Sequence, residues 1–365
     1  MKKNINQQCI NNDNKFTKLF TNSLKRKFLQ EEIDEYNKMD KKPILFVKNL
    51  TKIYSGKKVP AINKLSFNVY PGQFHAFIGG NGAGKTTTIK SLIGAYFKWS
   101  GTVLIDGIRN DKEEAKLKIG YIPENARFPE QMSARSYLLW MIMLSGIPHD
   151  KANKIVTSKL KELNMWNLRN RSPNTFSSGQ KKKILLAQAL IHDPEIIIMD
   201  EPVANLDPRA RQEFFEVLID LKNKGKAIFI SSHVLAELNQ YFDSATILDG
   251  GKIVYSGTKE ELLSTYAKEY YKVKTQDDLL VQKYLKQKKN EFKVNKYEGF
   301  IQVYFKDNKE IVEFQKFILK NDIALDLFEK SLPSLEQVYD KLIIKGSVDT
   351  MKVDQEELKK ISLEK

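Results

Sequence analysis

A glycine-rich stretch followed by one lysine and three threonines carries the clearest chemistry in the sequence. The segment FIGGNGAGKTTTIK runs from Phe77 to Lys90 and shows the spacing G-x-x-x-x-G-K-T from Gly79 to Thr86. Glycines allow positive φ and let main-chain amides crowd around an anion, while the lysine suits phosphates and the hydroxyl suits Mg²⁺. The spacing therefore predicts a site for a nucleoside triphosphate with magnesium. A chance glycine-rich turn is the alternative, and the apolar strand before the loop and the helix after it, KTTTIKSLIGAY, argue against that alternative.

Two carboxylates follow a short apolar stretch later in the chain. EIIIMDEP extends from Glu195 to Pro202, and its uncharged, β-branched interior is typical of a central parallel strand. At the end of that strand Asp200 can hold magnesium through water, and Glu201 can polarise the water that attacks the γ-phosphate. A strand that ends in two solvated acids is the plainer interpretation.

A turn of small residues opens a predicted helix between these two segments. NTFSSGQKKKILLAQALIHDP extends from Asn174 to Pro194. Such a turn directs the free amides of the helix start toward an anion, whereas an ordinary serine-capped helix is the alternative.

Together these segments resemble the motifs of ATP-binding cassette (ABC) ATPases, which occur here once each and in family order from about Leu45 to Gly257. The signature motif is Leu-Ser-Gly-Gly-Gln in most members, and Ser178 replaces its first glycine here. Because serine has a side chain that glycine lacks, Ser178 alters how closely another backbone can approach the turn at that position. The signature residues that would contact the ATP of a partner are Phe176, Ser177, Ser178, Gly179 and Gln180.

The same resemblance implies roles for further residues. Tyr54 matches the aromatic residue that stacks on adenine, although a tyrosine in a strand core is the alternative. Glu124 stands where most members carry Gln, in the loop that leads to the helical subdomain, and its carboxylate is expected to approach magnesium. Asp207 matches the acid of the D-loop, and an Asp-Pro helix start is its plainer interpretation. His233 matches the histidine that lies against the γ-phosphate.

The implied site has three groups of residues. The ATP-binding residues are Tyr54, Gly79, Gly80, Asn81, Gly82, Ala83, Gly84, Lys85, Thr86 and Thr87. The catalytic residues are Glu201, His233 and Lys85, and the metal-binding residues are Thr86, Asp200 and Glu124. The cofactors are ATP and Mg²⁺.

The expected fold class is α/β, a phosphate-loop NTPase cassette with a mixed sheet core, an antiparallel β subdomain and a helical subdomain, followed by a small α+β domain. The predicted division is an N-terminal extension, helical or disordered, at 1–42, the cassette at 43–264 with its helical subdomain at about 125–175, the small domain at 265–345, and a charged tail at 346–365.

The segments after the cassette predict the order strand, helix, two strands, helix, strand, which favours a split βαβ unit. PSLEQVYDKL, from Pro333 to Leu342, resembles the end of cassette subunits from bacterial exporters of drugs, antibiotics, lipids or sodium. In the N-terminal extension, apolar residues at helical spacing lie beside lysines and predict either a basic amphipathic helix for anionic lipid or a partner, or a solvated extension. Those apolar residues are Phe16, Leu19, Phe20, Leu24 and Phe28.

The charge and the cysteine content indicate which partners and which cellular compartment to expect. The net charge is +15, and the lysines are spread along the chain, which favours a lipid surface or a solvated surface over nucleic acid. The single cysteine, Cys9, excludes disulfides within the chain and cysteine-built zinc sites, and it fits a reducing compartment. The longest apolar run, near Tyr137 to Ile147, is about half of the ~20 residues that a bilayer requires. We therefore expect a cytoplasmic protein, peripheral on the inner face of the cell membrane.

The chain carries one phosphate loop and one signature motif. The resemblance implies that nucleotide is held between the phosphate loop of one cassette and the signature helix of another. The expected partners are a second cassette, in a homodimer or heterodimer, and a membrane-spanning permease through which the subunit powers export; no nucleic acid is expected. The alternatives are a soluble ABC ATPase that acts on ribosomes or nucleic acid, and an importer subunit.

Overall fold

The structure is a computed structural model that describes residues 30–295, 298–335 and 337–343. The predicted amphipathic helix, Cys9 and the charged tail lie outside these residues. The chain divides into two compact units, Met1–Gly257 and Thr258–Lys365. The division therefore precedes the helix at Lys259–Tyr266, whereas the sequence placed it after residue 264.

Two sheets and a set of helices build the first unit. One sheet has the order β10-β9-β3-β8-β7-β6, and the other has the order β2-β1-β4-β5. The strands are β1 (Leu45–Lys52), β2 (Ile62–Val69), β3 (Phe74–Gly79), β4 (Ser100–Ile105), β5 (Ile108–Arg109), β6 (Ile119–Ile122), β7 (Ile196–Met199), β8 (Ala227–Ser232), β9 (Ser244–Asp249) and β10 (Lys252–Thr258). The helices are α1 (30–38), α2 (Lys85–Leu92), α3 (Glu113–Leu117), α4 (Ala134–Leu144), α5 (His149–Glu162), α6 (Ser178–Leu190) and α7 (Pro208–Asn223). Short 3₁₀ turns lie at Trp166–Leu168, Pro173–Thr175 and Ala236–Leu238.

The parallel strands of the larger sheet bring the candidate site together. β3 pairs in parallel with β8 and β9, and β7 pairs in parallel with β6 and β8. All residues of β3, β7 and β8 are buried, as their largely apolar sequences predict. The polar exceptions are His75 on β3 and Ser231 and Ser232 on β8. Because parallel strands end at the same edge, the segments that follow β3, β7 and β8 meet there.

The helix after the glycine loop is shorter than the sequence predicted. α2 ends at Leu92 rather than near Tyr96. Gly94 takes φ +74°, a left-handed conformation that ends a helix and that glycine adopts readily. α4 and α5 then lie between β6 and α6, in the range predicted for the helical subdomain.

The smaller sheet is antiparallel, since β1 pairs antiparallel with both β2 and β4. α1 packs against this sheet through Tyr36, whose ring meets Phe46 edge-on with the ring centres 5.7 Å apart. Glu32 accepts hydrogen bonds from Asn49 and Thr102. The described part of the N-terminal extension is therefore a docked helix.

The second unit contains one four-stranded antiparallel sheet in the order β12-β13-β11-β14. Its elements are α8 (Lys259–Tyr266), β11 (Tyr270–Thr275), α9 (Asp278–Gln287), β12 (Glu291–Asn295), β13 (Phe300–Tyr304), α10 (Asn308–Lys320), β14 (Leu325–Ser331) and α11 (335 and 337–343). From β11 to β14 they follow the predicted order. Val273, Ile301 and Phe314 belong to its core. Among the helices of the described residues, none is long and apolar enough to cross a bilayer.

Candidate nucleotide site

The glycine loop after β3 takes its shape from two positions. Gly82 has φ +80° and Gly84 has φ +107°. A Cβ at Gly84 would lie 2.6 Å from a methyl carbon of Ile62, so a side chain does not fit there. Gly79 and Gly80 also allow positive φ, but neither adopts it. Gly79 instead allows close packing in β3, where a Cβ would lie 2.9 Å from a main-chain oxygen on β9.

The N-terminus of α2 follows the loop directly. Gly84 is its N-cap and provides no side-chain hydrogen bond to the first turn. The first amides of a helix have no partner within the helix, so those of α2 remain suited to an anion. The loop and the helix start thus combine amide donors with Lys85 and Thr86.

Lys85 is buried and makes three contacts. Its Nζ donates to the carbonyls of Gly79 at 2.8 Å and Gly80 at 3.1 Å, and it lies 3.1 Å from Oε1 of Glu201. The ammonium has three N–H groups, and each therefore has an acceptor within reach. A phosphate that binds Lys85 must compete with these acceptors.

Glu201 links the phosphate loop to His233. Its Oε2 accepts a hydrogen bond from Nδ1 of His233 at 2.8 Å, while its Oε1 faces Lys85. Burial disfavours the charged carboxylate, but Lys85 and His233 outweigh burial and hold the pKa of Glu201 below its ordinary value. The carboxylate is therefore ionised at neutral pH, as a group that accepts a proton from water must be.

Asp200 is buried at the end of β7 and is reached through a residue that the sequence did not single out. Oγ of Ser231 lies 2.9 Å from Oδ1 of Asp200 and 3.0 Å from the main-chain nitrogen of Glu201. Ser231 precedes His233 by two positions on β8. Only the parallel pairing of β7 with β8 places it beside the acids, and no local sequence signal reports that pairing.

A cavity of about 280 Å³ brings much of the predicted site together. It is lined by Glu124, Glu201, Ala61 and six residues of the phosphate loop and helix start, namely Asn81, Gly82, Gly84, Lys85, Thr86 and Thr87. The signature residues and Asp207 are not among its lining residues. The cavity thus unites the phosphate loop with Glu124 and Glu201, whereas its lining does not include Asp200, His233, Tyr54 or the signature turn.

Tyr54 lies in the loop after β1 and is 38% exposed, so the alternative of a tyrosine in a strand core is wrong. Its hydroxyl oxygen is 2.9 Å from that of Thr87, which connects it to the start of α2. Tyr96 meets its ring edge-on, and the ammonium of Lys52 lies within 5.6 Å of both ring centres. An exposed aromatic face at this edge of the cavity suits a stacked base.

A buried lysine on α6 holds the loop that contains Glu124. Nζ of Lys182 donates to the carbonyl of Pro123 at 3.2 Å and to that of Glu124 at 2.6 Å. Burial lowers the pKa of Lys182 to about 8, although Glu124 and Asp200 act in the opposite direction. Lys182 was not predictable, because nothing in the sequence shows which side chain in a run of three lysines turns inward.

The signature turn forms the start of α6. Oγ of Ser177 accepts from the amide of Gln180 at 3.3 Å, and the Gln180 side chain accepts from the amide of Ser177 at 3.1 Å. This capping box fixes the turn, and Ser177 and Ser178 remain exposed while Phe176 is buried. The helix is therefore serine-capped and its start faces solvent, while contact of that start with an anion stays a prediction.

Asp207 is the N-cap of α7, where its Oδ1 accepts from the amide of Ala210 at 2.9 Å. Pro208 follows at the first helical position, as the plainer interpretation of this segment predicts.

The residues predicted for the metal offer oxygen donors only. Thr86 is exposed at the start of α2, Glu124 lines the cavity, and Asp200 is held by Ser231 behind Glu201. The described residues contain no cluster of three or more His, Cys, Asp or Glu side chains suited to a metal. A hydroxyl and one or two carboxylates fit Mg²⁺ bound together with nucleotide phosphates.

Comparison with known proteins gives a consistent result. The sequence model of the ABC transporter family matches residues 62–204. A putative ABC transporter ATP-binding protein of Mycoplasma pneumoniae is 40% identical over 306 residues, which cover 82% of this chain and 92% of that protein. The retinal-specific phospholipid-transporting ATPase of Homo sapiens is 32% identical over 66% of this chain, but the match spans only 11% of that protein.

Solved structures agree with the sequence relatives. The structure of an ATP-binding subunit of an ABC transporter superimposes with a TM-score of 0.56 and 31% identity, covering 61% of this chain and 93% of the other. A subunit from Clostridium perfringens described as part of the ABC transporter complex cbiONQ gives a TM-score of 0.54 at 26% identity, covering 61% and 91%.

Proposed function

The chain belongs to the ABC transporter family as an ATP-binding subunit and is an ATPase; from this premise we propose that it powers export through a separate membrane-spanning subunit by ATP-driven closure of two cassettes. The observation that carries this proposal is the division of the site. The phosphate loop, Glu124 and Glu201 share one cavity, whereas Ser177 lies outside its lining.

At the candidate site, in and beside the cavity, each residue has a role that its contacts support. The amides of the loop and Lys85 bind the phosphates, and the exposed ring of Tyr54 stacks on the base. Glu201 takes a proton from the attacking water, and His233 orients that carboxylate through the bond at 2.8 Å. Thr86 and Asp200 would hold Mg²⁺, with Glu124 near it, and the bound ion would supply positive charge that offsets the charge of the phosphates.

The exposed start of α6 is the half of the site that serves a second cassette. Its capping box leaves Ser177 and Ser178 at the surface, where helix amides attract an anion. In a head-to-tail dimer, the signature turn of each chain reaches the γ-phosphate held by the other. ATP then joins the two chains, and hydrolysis releases them.

Mixing two inactive variants tests the shared pocket. Lys85→Met removes a phosphate-binding cation, and Ser177→Arg blocks the signature turn. If two copies share each pocket, a mixture of the two proteins contains dimers with one intact site, and turnover returns to about a quarter of the wild-type value by random pairing. Phosphate release is the assay, with each variant alone as control. A mixture as inactive as its components contradicts a pocket shared between two copies.

The proposed membrane partner docks on the helical part of the first unit. Trp140, Met143 and Leu144 on α4 are 47–65% exposed, which is unusual for large apolar side chains on one helix turn. The tail at Pro333–Leu342 resembles exporters, and the relatives named as phospholipid-transporting support a lipid among the candidate cargoes. Such docking would make the chain a peripheral protein of the inner membrane face.

Affinity capture of the tagged chain from detergent-solubilised membranes tests this docking. We expect a polytopic membrane protein to be retained by the wild type and lost with Trp140→Glu. The same substitution at Phe97, which is 86% exposed outside α4, is the matched control and should retain the partner. Capture of ribosomes or DNA in place of a membrane protein would support the alternative of a soluble ABC ATPase.

A further inference from the structure

Ser231 contacts both acids of the candidate site with a single hydroxyl group. It lies on β8, and its residue is completely buried. A main-chain amide can only donate, so the Ser231 oxygen accepts from the amide of Glu201 at 3.0 Å. The hydroxyl hydrogen is then directed at Oδ1 of Asp200, 2.9 Å away. One side chain thus fixes the rotation of one carboxylate and the main chain of the next residue.

The main chain at Glu201 needs such support. Its φ is +43°, in the left-handed region that residues with a Cβ rarely adopt. This conformation directs the carboxylate to Lys85 and His233, with distances of 3.1 and 2.8 Å. If the Glu201 amide lost its acceptor, the residue could relax toward negative φ, and the carboxylate would leave that position.

Other buried serines show that this arrangement is specific. Ser232 is the next residue, and its Oγ binds the amide and carbonyl of Val234, so it closes the turn around His233. Ser244 on β9 lies in the same sheet, and its Oγ is 2.8 Å from Nδ1 of His75. Neither serine contacts Asp200 or Glu201 in the hydrogen bonds of the described residues.

We propose that Ser231 is a positioning residue for ATP hydrolysis, and that its hydroxyl holds the Asp200 carboxylate and the Glu201 main chain in the geometry that the reaction requires. The inference rests on the proposed roles of Asp200 and Glu201. Loss of the hydroxyl should therefore change kcat and the Mg²⁺ requirement rather than phosphate binding, because Ser231 does not line the cavity proposed to hold the phosphates.

Steady-state kinetics of the full chain test the proposal. Ser231→Ala should lower kcat and raise the Mg²⁺ concentration for half-maximal activity by about 10- to 100-fold, as loss of a supporting contact to a metal ligand does elsewhere. Binding of a fluorescent ATP analogue in EDTA should not weaken, because the phosphate loop is intact and a displaced Glu201 competes less with phosphate for Lys85. Ser244→Ala is the matched control, since it also removes a buried serine hydrogen bond but should leave kcat and the Mg²⁺ dependence unchanged.

Ser231→Thr and Ser231→Val form a second pair that controls for folding. The two side chains have nearly the same shape and differ in the hydroxyl. Thr should retain about tenfold more activity than Val if the hydroxyl positions the acids. Equal activity of this pair, or a kcat of Ser231→Ala within twofold of the wild type, overturns the proposal.

Asp200→Asn separates failure of this inference from failure of the proposed roles. If Asp200→Asn abolishes Mg²⁺-dependent turnover while Ser231→Ala leaves kcat and the Mg²⁺ requirement unchanged, only the role of Ser231 is wrong. If Asp200→Asn leaves turnover and Mg²⁺ dependence unchanged, the role of Asp200 itself is wrong, and the role of Ser231 falls with it.

Discussion

Replacement of Glu201 by Gln should tighten ATP binding while it abolishes turnover. Lys85 directs its ammonium to Glu201 and to two carbonyls, so ATP phosphates must displace at least one of these acceptors. Glu201 is the only charged acceptor of the three, and its carboxylate also repels phosphate. Gln keeps the shape of the side chain and removes the charge, so Lys85 becomes easier to recruit.

The size of the effect follows from this contact. Both side chains are largely buried, with 5% and 16% exposed, so solvent screens the pair little. A hydrogen bond to a charged group contributes about 1.5–3 kcal/mol, and Gln still accepts one from the Lys85 ammonium. The loss is therefore at most about 1.5 kcal/mol, the width of that range, which corresponds to up to about tenfold in Kd. Loss of the general base should lower kcat by about 10²- to 10⁴-fold.

Fluorescence titration with MgATP and a phosphate-release assay measure the two effects. Adenosine, which has no phosphate to recruit Lys85, should bind the wild type and Glu201→Gln equally. Glu162→Gln is a matched control, because Glu162 pairs with Lys159 at 2.8 Å on α5, away from the cavity. An unchanged or weaker affinity of Glu201→Gln for MgATP would show that Glu201 does not compete with phosphate for Lys85.

Three further changes test other parts of the structure. Burial lowers the pKa of His75 from 6.5 to about 3, so below pH 6.5 the unfolded chain takes up a proton that the folded chain does not. The free energy of unfolding should therefore fall by about 1.4 kcal/mol per pH unit between about pH 6 and 3. Urea unfolding at about pH 7, 6 and 5 should show a weaker dependence of that free energy on pH for His75→Phe. Lys182→Met removes the donor to the Glu124 loop and should lower kcat by about tenfold, with Lys182→Arg restoring most of it. Gly84→Ala places a Cβ 2.6 Å from a neighbouring methyl carbon at φ +107°, so nucleotide titration should show at least about tenfold weaker binding.

The elements that carry local sequence patterns were predictable. The phosphate loop depends on spacing within one segment, and β3, β7 and β8 are short, largely apolar runs, so their identity and order follow from the sequence. The strand and helix order from β11 to β14 was predictable from the succession of strand-like and helix-like segments in the sequence. The roles expected of residues such as Tyr54 and His233 came from the family resemblance, because spacing alone does not assign them.

Features that depend on contacts between distant segments were not predictable. Tyr36 docks α1 against Phe46 and Leu104, which no pattern in the extension indicates. Ser231 and Lys182 acquire their partners only when strands pair and α6 packs beside the Glu124 loop. The same holds for the early end of α2, where one glycine overrides a sequence that otherwise continues as a helix.

Helix α6 connects the signature turn to the loop that contains Glu124. Its first turn presents Ser177 to solvent, where the proposed partner brings its ATP, and two residues after Gln180 the same helix holds the Glu124 loop through Lys182. Glu124 lines the cavity for the chain's own nucleotide. A displacement of α6 by the partner's γ-phosphate would therefore pull on the Glu124 loop through two hydrogen bonds of 2.6 and 3.2 Å. Because a buried ammonium without acceptors is costly, Lys182 and that loop should move together rather than separate, and each pocket of the proposed dimer would respond to occupation of the other.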